Sequence, residues 1–521
     1  MKVRLKTTSA SVPETRRLVE LRAELAALDA EAAAARVGAR RVDRALKTTI
    51  SLCPECLAYV PALVFERNGR VIAAKRCEAH GDSEALLESD ARFYRLSNKD
   101  HNGRRFAEDR VFTIPKWSPP GQEACCGPGE SCSDPTALGA GVTDQRNNRT
   151  CTVLVEVTDA CNLACRVCYS DSKGDRFLPF DGFVKHVDRL LDAKGHLESV
   201  QLTGGEASLH PRFWDMVEHL YREPRVTKVY LPTNGLTFAK PAEADRLVRY
   251  ADKLMVLLQL DGLTRETNRT LRDADPVRLR KRLIRRLDAA GVPMQLTMTL
   301  AQDVNDEELG AIVDLGLEHS MVKVIALQPV TWSGRYDLDV DPMRRLTLSD
   351  VATRVLAQAR VRAKREDGVP IPCSHPNCGW ITVFMRRFGL VHNVMRYVDL
   401  DEAMDDVAYK TLLSTSELRN VIGKKGKSAM QTLARSLGGK VVRSTDMFTI
   451  AIKPFMDRYD YDQDRIDNCC HHITDTRGNL LSFCEYNALG RVEDPWTRMP
   501  TREQVSEARA PAGAPGPAPR G

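Results

Sequence analysis

Three cysteines of the 521-residue chain stand in the order C-x3-C-x2-C: Cys161, Cys165 and Cys168, within TDACNLACRVCYSD. Three thiolates so spaced can ligate three irons of a four-iron, four-sulfide cubane and leave the fourth iron without a protein ligand. That vacancy has a use, because a small molecule carrying an amino and a carboxylate group can chelate the open iron. A zinc knuckle is the alternative for clustered cysteines, but a closed zinc site wants a fourth ligand nearby. One strand–helix unit further on comes TGGEAS, where Gly204, Gly205 and Glu206 form a tight loop with an acidic end.

Fifteen cysteines less these three leaves twelve: Cys53, Cys56, Cys77, Cys125, Cys126, Cys132, Cys151, Cys373, Cys378, Cys469, Cys470 and Cys484. CPEC at 53–56 and CEAH at 77–80 flank a hairpin whose Asn68-Gly69 favours a tight turn. Paired knuckles across a hairpin describe a zinc ribbon or a rubredoxin-like iron site, and His80 brings a Cys3His zinc set into contention with four thiolates. IPCSHPNCGW and DNCCHHITDTRGNLLSFCEYN bring Cys373, Cys378, Cys469, Cys470 and Cys484 from distant segments, which suits an auxiliary 4Fe–4S cluster closing them together. Cys125, Cys126, Cys132 and Cys151 form a third group of four just upstream of the barrel, the count for a further tetrathiolate metal site; a buried, inert thiol is the alternative for any one of them.

The elements that must position these groups follow from periodicity. Apolar runs at 153–158, 199–203, 228–232, 254–260, 294–300 and 322–328 read as strands, separated by helical patterns such as FVKHVDRLLDA. Repeated strand–helix units imply a parallel sheet with its functional groups on the loops beyond the strands' carboxyl ends. The expected organisation is an N-terminal helix over 1–48, a metal ribbon module over 49–90 and a cysteine-bearing linker over 91–151. A barrel over 152–335, an auxiliary-cluster region over 336–495 and a disordered tail over 496–521 follow. Within the first of these, Leu18, Leu21, Leu25 and Leu28 form a heptad seam on one helix from about Pro13 to Val37. Packing on its own protein, a dimeric coiled coil and a basic membrane-surface helix are all compatible with it.

The cysteine triplet and the Gly-Gly-Glu loop together resemble the radical S-adenosylmethionine (SAM) superfamily over about residues 150–330. The resemblance implies an α/β fold with a partial (βα)6 barrel, a SAM-binding 4Fe–4S cluster and reductive cleavage of SAM to a 5′-deoxyadenosyl radical. It implies that Glu206 binds the SAM ammonium beside Gly204 and Gly205, and that the backbone around Val167 and Tyr169 lies beside the adenine. Asn234, Gln259 and Asp261 would line the ribose and the substrate mouth. From CPEC to FCEYN the chain also resembles a narrower group, the tetraether lipid synthases and their methanopterin-methylating relatives, although CCGPGESC is more tightly spaced than that group's cysteines. This implies two auxiliary 4Fe–4S clusters, one mononuclear zinc or iron, and a reductant such as ferredoxin or flavodoxin. Coupling of lipid chains is the first expectation for the reaction, and methylation or alkylation of a pterin or other small molecule the second.

Composition narrows the partners. The formal charge of +6 is too small for a dedicated nucleic-acid binder; DNA is not expected, and RNA is carried only by VIGKKGKS at 421–428, which imitates a GxxG loop. No export signal or spanning segment is read, so a cytosolic protein with reduced thiols is expected, with contact to a membrane surface left open. A lipid would need an apolar tunnel; FVKHVDRL, VKVIALQPV and WITVFM serve equally well as lining or as ordinary core.

Overall fold

The computed structural model describes residues 12–99, 150–338, 341–371, 374–387, 389–395, 444–467 and 469–507. Two sheets carry the chemistry. The first has four antiparallel strands in sequence order: β1 (Arg44–Leu52), β2 (Tyr59–Arg67), β3 (Arg70–Cys77) and β4 (Gly81–Glu88). Asn68 and Gly69 both take positive φ, 52° and 73°, so the β2–β3 hairpin closes through the two left-handed residues that its sequence favours.

The N-terminal segment forms two helices, α1 (Val12–Ala26) and α2 (Ala30–Val37), where one continuous helix was expected. The break lies at Asp29, whose side chain accepts from Ala32 N at 2.8 Å and caps α2. The ribbon's first strand begins at Arg44, inside the stretch assigned to the helix. Leu21 and Leu25 of the seam are buried with Ile50 and Leu52 of β1 and with Tyr461 and Phe483 from the far end of the chain. The seam therefore packs on its own protein.

The second sheet contains all six expected barrel strands: Thr152–Glu156, Leu197–Thr203, Val226–Thr233, Leu254–Gln259, Met294–Leu300 and Val322–Pro329. Each pairs in parallel with the next. Two further strands extend the parallel series. Met447–Ile452 joins the sixth strand and His471–Thr474 joins the first, and antiparallel Trp380–Arg387 and Leu480–Ser482 follow outside them. The described late strands are thus part of the barrel sheet.

Alternation divides the sheet into two faces. Leu254, Val256 and Leu258, with Leu296, Met298, Ile325 and Leu327, pack against Phe183, Val187, Leu190 and Leu191 of the helix Phe180–Lys194 and its neighbours in one continuous core. Most apolar residues of the three candidate tunnel stretches fall here, among them Phe183, Val187, Val322, Ile325, Leu327, Trp380 and Phe384; Val330 packs instead with Val167, Leu271 and Ala301. The opposite face carries Gln201, Tyr230, Gln259, Gln295, Thr299 and Gln328, all partly exposed.

Part of the expected disordered tail is also folded. Trp496–Arg498 and Arg502–Glu507 are helical, and Val505 is buried with Ala160 and Phe177 beside the cysteine loop. A short amphipathic turn after Pro500 gives too little periodicity to be read from sequence. No helix among the described residues is long and apolar enough to cross a membrane.

Candidate active site and metal centres

The cysteine loop leaves the first barrel strand and is tied to three others. Thr158 begins the tie: its hydroxyl donates to Arg176 O at 2.7 Å and accepts from Ala160 N at 3.0 Å. Gly205 N and Glu206 N, after the second strand, donate to Thr158 O and Ala160 O, each at 2.8 Å. This approach needs glycine. Gly204 has φ +131°, and a Cβ there would stand 2.1 Å from the Thr158 carbonyl oxygen; one on Gly205 would stand 2.2 Å from that of Ala160. The Gly-Gly pair lets the acidic loop lie against the residues that lead into Cys161.

Glu206 is buried, and burial pushes its carboxyl up despite bonds from Ser208, the Asn234 backbone and Thr233. Its oxygens accept from Ser208 Oγ at 2.6 Å, Thr233 Oγ1 at 2.8 Å and Asn234 N at 2.8 Å. Asn234 in turn donates from Nδ2 to Asn162 Oδ1 at 2.7 Å, reaching the residue after Cys161.

The sequence reading did not single out the arginines on the other side of the loop. Arg272 donates from Nη1 to Val167 O at 3.1 Å, and from Nε and Nη2 to Asp261 at 2.7 Å each. Arg335 donates to Cys165 O at 2.7 Å, and Val167–Cys168 pairs with Arg335–Tyr336 as a short antiparallel ladder. Asp261 is accordingly not at an open mouth. It is fully buried and taken up by Arg272 and by Thr299 N at 3.0 Å. Burial alone would raise its carboxyl, but Arg272 and Arg280 more than offset this and hold it below its ordinary value. Gln259 remains partly exposed, donating to Asp261 Oδ1 at 2.5 Å. Asn305 does not cap a helix with its side chain; it staples the loops after the fourth and fifth strands, donating to Asp261 O and Thr299 O at 2.8 Å each.

The donor set suits the cofactor that the sequence implies. Burial pushes the Cys161 thiol up to about 11, so its thiolate needs a cation to hold it. Arg280 is buried, and its Nη2 has no hydrogen-bond partner among the described residues. Its charge is felt at both Cys165 and Glu206. A carboxylate and a guanidinium with capacity to spare, both beside the cysteine loop, would be complementary to the amino acid head group of a cofactor held there.

The ribbon presents a different geometry. Ligand atoms of Cys53, Cys56, Cys77 and His80 all lie within 4.8 Å of one another. His80 Nδ1 is 3.6 Å from Cys53 Sγ and 3.5 Å from Cys77 Sγ. Four donors this close fit one tetrahedral ion, and the set is Cys3His.

Of the remaining cysteines, Cys125, Cys126, Cys132 and Cys373 lie outside the described residues, as does 421–428. Cys378, Cys469 and Cys484 gather near Arg465, whose Nε donates to Cys378 Sγ at 3.4 Å. Burial, with Cys470 and Cys378 adding, pushes Cys469 up to about 12, and Cys484 is raised mainly by burial with Cys469 next. Cys470 turns elsewhere: it is buried with Cys151 and Ile371, and its carbonyl accepts from Cys151 N at 2.9 Å. The adjacent cysteines thus serve two neighbourhoods, and Cys151, just before the first barrel strand, meets Cys470 just before the strand beside it.

Residues 155–316 match the family model described as the radical SAM superfamily, and residues 45–89 match that of the HMPTM N-terminal zinc ribbon domain. The chain is 25% identical over 513 residues to the 7,8-dihydro-6-hydroxymethylpterin dimethyltransferase of Methanocaldococcus jannaschii, covering 87% of this chain and 97% of that protein. It is 31% identical to the GTP 3′,8-cyclase of Chlorobaculum tepidum over 36% of this chain and 57% of that one. Among solved structures, Streptococcus suis SuiB bound to precursor peptide SuiA aligns with a TM-score of 0.35 at 11% identity, over 89% of this chain and 91% of that one.

Proposed function

From a radical SAM enzyme with a zinc-ribbon module as the premise, we propose that this chain methylates a pterin-like heterocycle, the second of the two reactions expected from sequence. One observation carries the choice over lipid coupling. The face of the barrel sheet turned away from the core carries amides or hydroxyls at Gln201, Tyr230, Gln259, Gln295, Thr299 and Gln328, between the apolar Met255, Leu257 and Val324. Several of these groups already pair within the protein: Gln259 with Asp261, Gln295 with Thr297 and Gln328 with Tyr169. An alkyl chain laid on the face would strip water from their remaining donor and acceptor sites, whereas a flat ring bearing amide and amine groups would replace it. The likeness to a pterin dimethyltransferase over 97% of that protein supports the same reading.

In this reading Cys161, Cys165 and Cys168 hold the cluster, Glu206 takes the SAM ammonium and Arg280 its carboxylate. When bound, the cluster–SAM pair supplies one-electron cleavage of the sulfonium carbon–sulfur bond, giving a radical able to take hydrogen from carbon. The protein's share is position and dryness. Arg272 and Arg335 fix the loop by its backbone carbonyls, Val505 and its helix cover it from the tail, and the polar face orients the ring. Cys378, Cys469 and Cys484 would seat an auxiliary cluster with Cys373, and Cys151 and Cys470 would contribute to another.

The test is anaerobic incubation of reduced, reconstituted protein with SAM and 6-hydroxymethyl-7,8-dihydropterin. The expected products are methionine and 5′-deoxyadenosine from the SAM that is reductively cleaved, S-adenosylhomocysteine from a second SAM that gives up its methyl group, and a pterin heavier by one or two methyl groups, read by mass spectrometry. Production of 5′-deoxyadenosine with an unchanged pterin, and of joined chains when phospholipid is supplied in its place, would overturn the proposal.

A further inference from the structure

On the inner face of the barrel sheet one row of side chains ends in a cation, Lys453. Thr299 pairs with Gln328 across the fifth and sixth barrel strands, and Leu327 pairs with Ile452 of the strand beyond them. Leu327 and Ile452 belong to the core, so the residues after them, Gln328 and Lys453, turn to the opposite face. Lys453 N donates to Leu327 O at 2.9 Å and keeps the row in register. The side chain is partly exposed, with its ammonium 5.3 Å from the centre of the Phe455 ring. Among the described residues that ammonium has no ion pair and no hydrogen bond, so its three N–H donors are available.

Gln328, the neighbour in the row, is committed at one end only. Its Oε1 accepts from the Tyr169 hydroxyl at 3.2 Å, while its amide N–H groups have no acceptor among the described residues. Tyr169 follows Cys168 directly, and its ring meets Phe455 edge-on at 5.7 Å. One aromatic pair beside the cysteine loop therefore anchors both groups: the phenol takes the acceptor end of the amide, and the Phe455 face steadies the ammonium. The end of the row offers donors, an ammonium and an amide, toward whatever lies against the sheet.

We propose that Lys453 and Gln328 read the acceptor edge of the substrate ring, the ammonium donating to its carbonyl oxygen and the amide to the ring nitrogen beside that carbonyl. The assignment rests on the pterin reading above and adds to it an orientation. A pterin carries these two acceptors side by side and its amino group away from them, so a donor pair at one end of the row fixes which way round the ring lies. It also sets specificity. An analogue with an amino group in place of the carbonyl would bring N–H against N–H and leave the ammonium without an acceptor.

The experiment uses the full reconstituted chain and two fluorescent probes, 6-hydroxymethylpterin and 2,4-diamino-6-hydroxymethylpteridine, the second bearing an amino group where the first has its carbonyl. Each is titrated against wild type, Lys453→Met and Lys453→Arg. Methionine keeps an apolar stem on Phe455, and arginine keeps the charge. Iron content and melting temperature restrict the comparison to folded, loaded protein; if Lys453→Met does not fold, the wild-type preference decides alone. Wild type is expected to favour the carbonyl probe about tenfold or more, Lys453→Met to lose that preference by weakening the carbonyl probe alone, and Lys453→Arg to keep most of it. Wild-type methylation of the pterin with equal affinity for the two probes would overturn the assignment, as would a preference that survives Lys453→Met; either result leaves the pterin reading standing. Absence of both binding and methylation in wild type would overturn the reading itself.

Discussion

The ribbon and the cysteine loop both gather cysteine ligands, but they do so by opposite means. In the ribbon two knuckles converge on a single point, and the hairpin that joins them is held by its own strand ladder. In the barrel one loop carries three thiols and is held by donors from elsewhere: Gly205 and Glu206 N–H groups, Arg272 and Arg335. A closed tetrahedral site has its ligand positions filled, so its binding energy goes into folding. An open site leaves one coordination position for chemistry, and the rigidity that its ligands do not provide must come from the surrounding backbone. The difference teaches where each centre is vulnerable: the ribbon through stability, the loop through reactivity.

The largest separation of the two is expected from Cys165→Ser. Loss of one of three ligands should remove the SAM-binding cluster and lower 5′-deoxyadenosine formation by about a thousandfold or more, since the cofactor carries the difficult step. Bound zinc or iron at the ribbon should remain, as should most of the melting temperature. Metal analysis with a 5′-deoxyadenosine assay reads both quantities. Loss of the ribbon metal in this variant would break the comparison by making the two centres one cooperative unit.

A second contrast concerns how the ribbon is anchored. Lys47 of β1 is buried and donates to Asp462 and Asp464 at 2.7 and 2.6 Å, while Thr49 donates to Asp462 at 2.6 Å. The same segment passes Arg458 back to Pro54 O, inside the CPEC knuckle, at 3.2 Å. Lys47→Met would leave two buried carboxylates without their cation, which should cost about 3–5 kcal/mol. Chemical denaturation should show the midpoint falling, with the ribbon and the 457–467 segment losing amide-exchange protection together. Loss of protection in β1 alone would show that the clamp does not join them.

These anchors also mark what the sequence could and could not disclose. The cysteine triplet, the Gly-Gly-Glu loop, the Asn68-Gly69 turn and six barrel strands were legible because each is written in neighbouring residues: a spacing, a turn preference, an alternation. Lys47, Arg272, Arg280 and Arg465 were not, because a charged residue is presumed exposed until its partner is known. The partner of Lys47 stands 415 residues away. The strand His471–Thr474 was hidden for the related reason that its two histidines read as polar, and only pairing with the first barrel strand gives it a place. Asp261 was found but misjudged: its spacing after the fourth strand is right for a mouth, and its occupation by Arg272 is a tertiary fact.

The smallest effect expected sharpens the comparison at the seams. The loop's seam is the Asp261–Arg272 pair, whose carboxyl is held low and whose guanidinium stays charged, so it does not titrate between pH 5 and 8. The ribbon's seam to the barrel is Glu88, buried, accepting from Thr347 Oγ1 at 2.7 Å and also from Ser349 Oγ. Burial pushes its carboxyl up to about 7, with the two hydroxyls only partly offsetting this. The folded chain therefore keeps a proton on Glu88 that the unfolded chain has released, so stability falls as pH rises from about 4.5 to about 7. That loss should be about 3 kcal/mol, and Glu88→Gln, which keeps the neutral shape at every pH, should remove this part of the slope. Melting curves from pH 5 to 8 compare the two proteins; parallel pH profiles would mean that the ribbon seam is as indifferent to protons as the one beneath the cysteine loop.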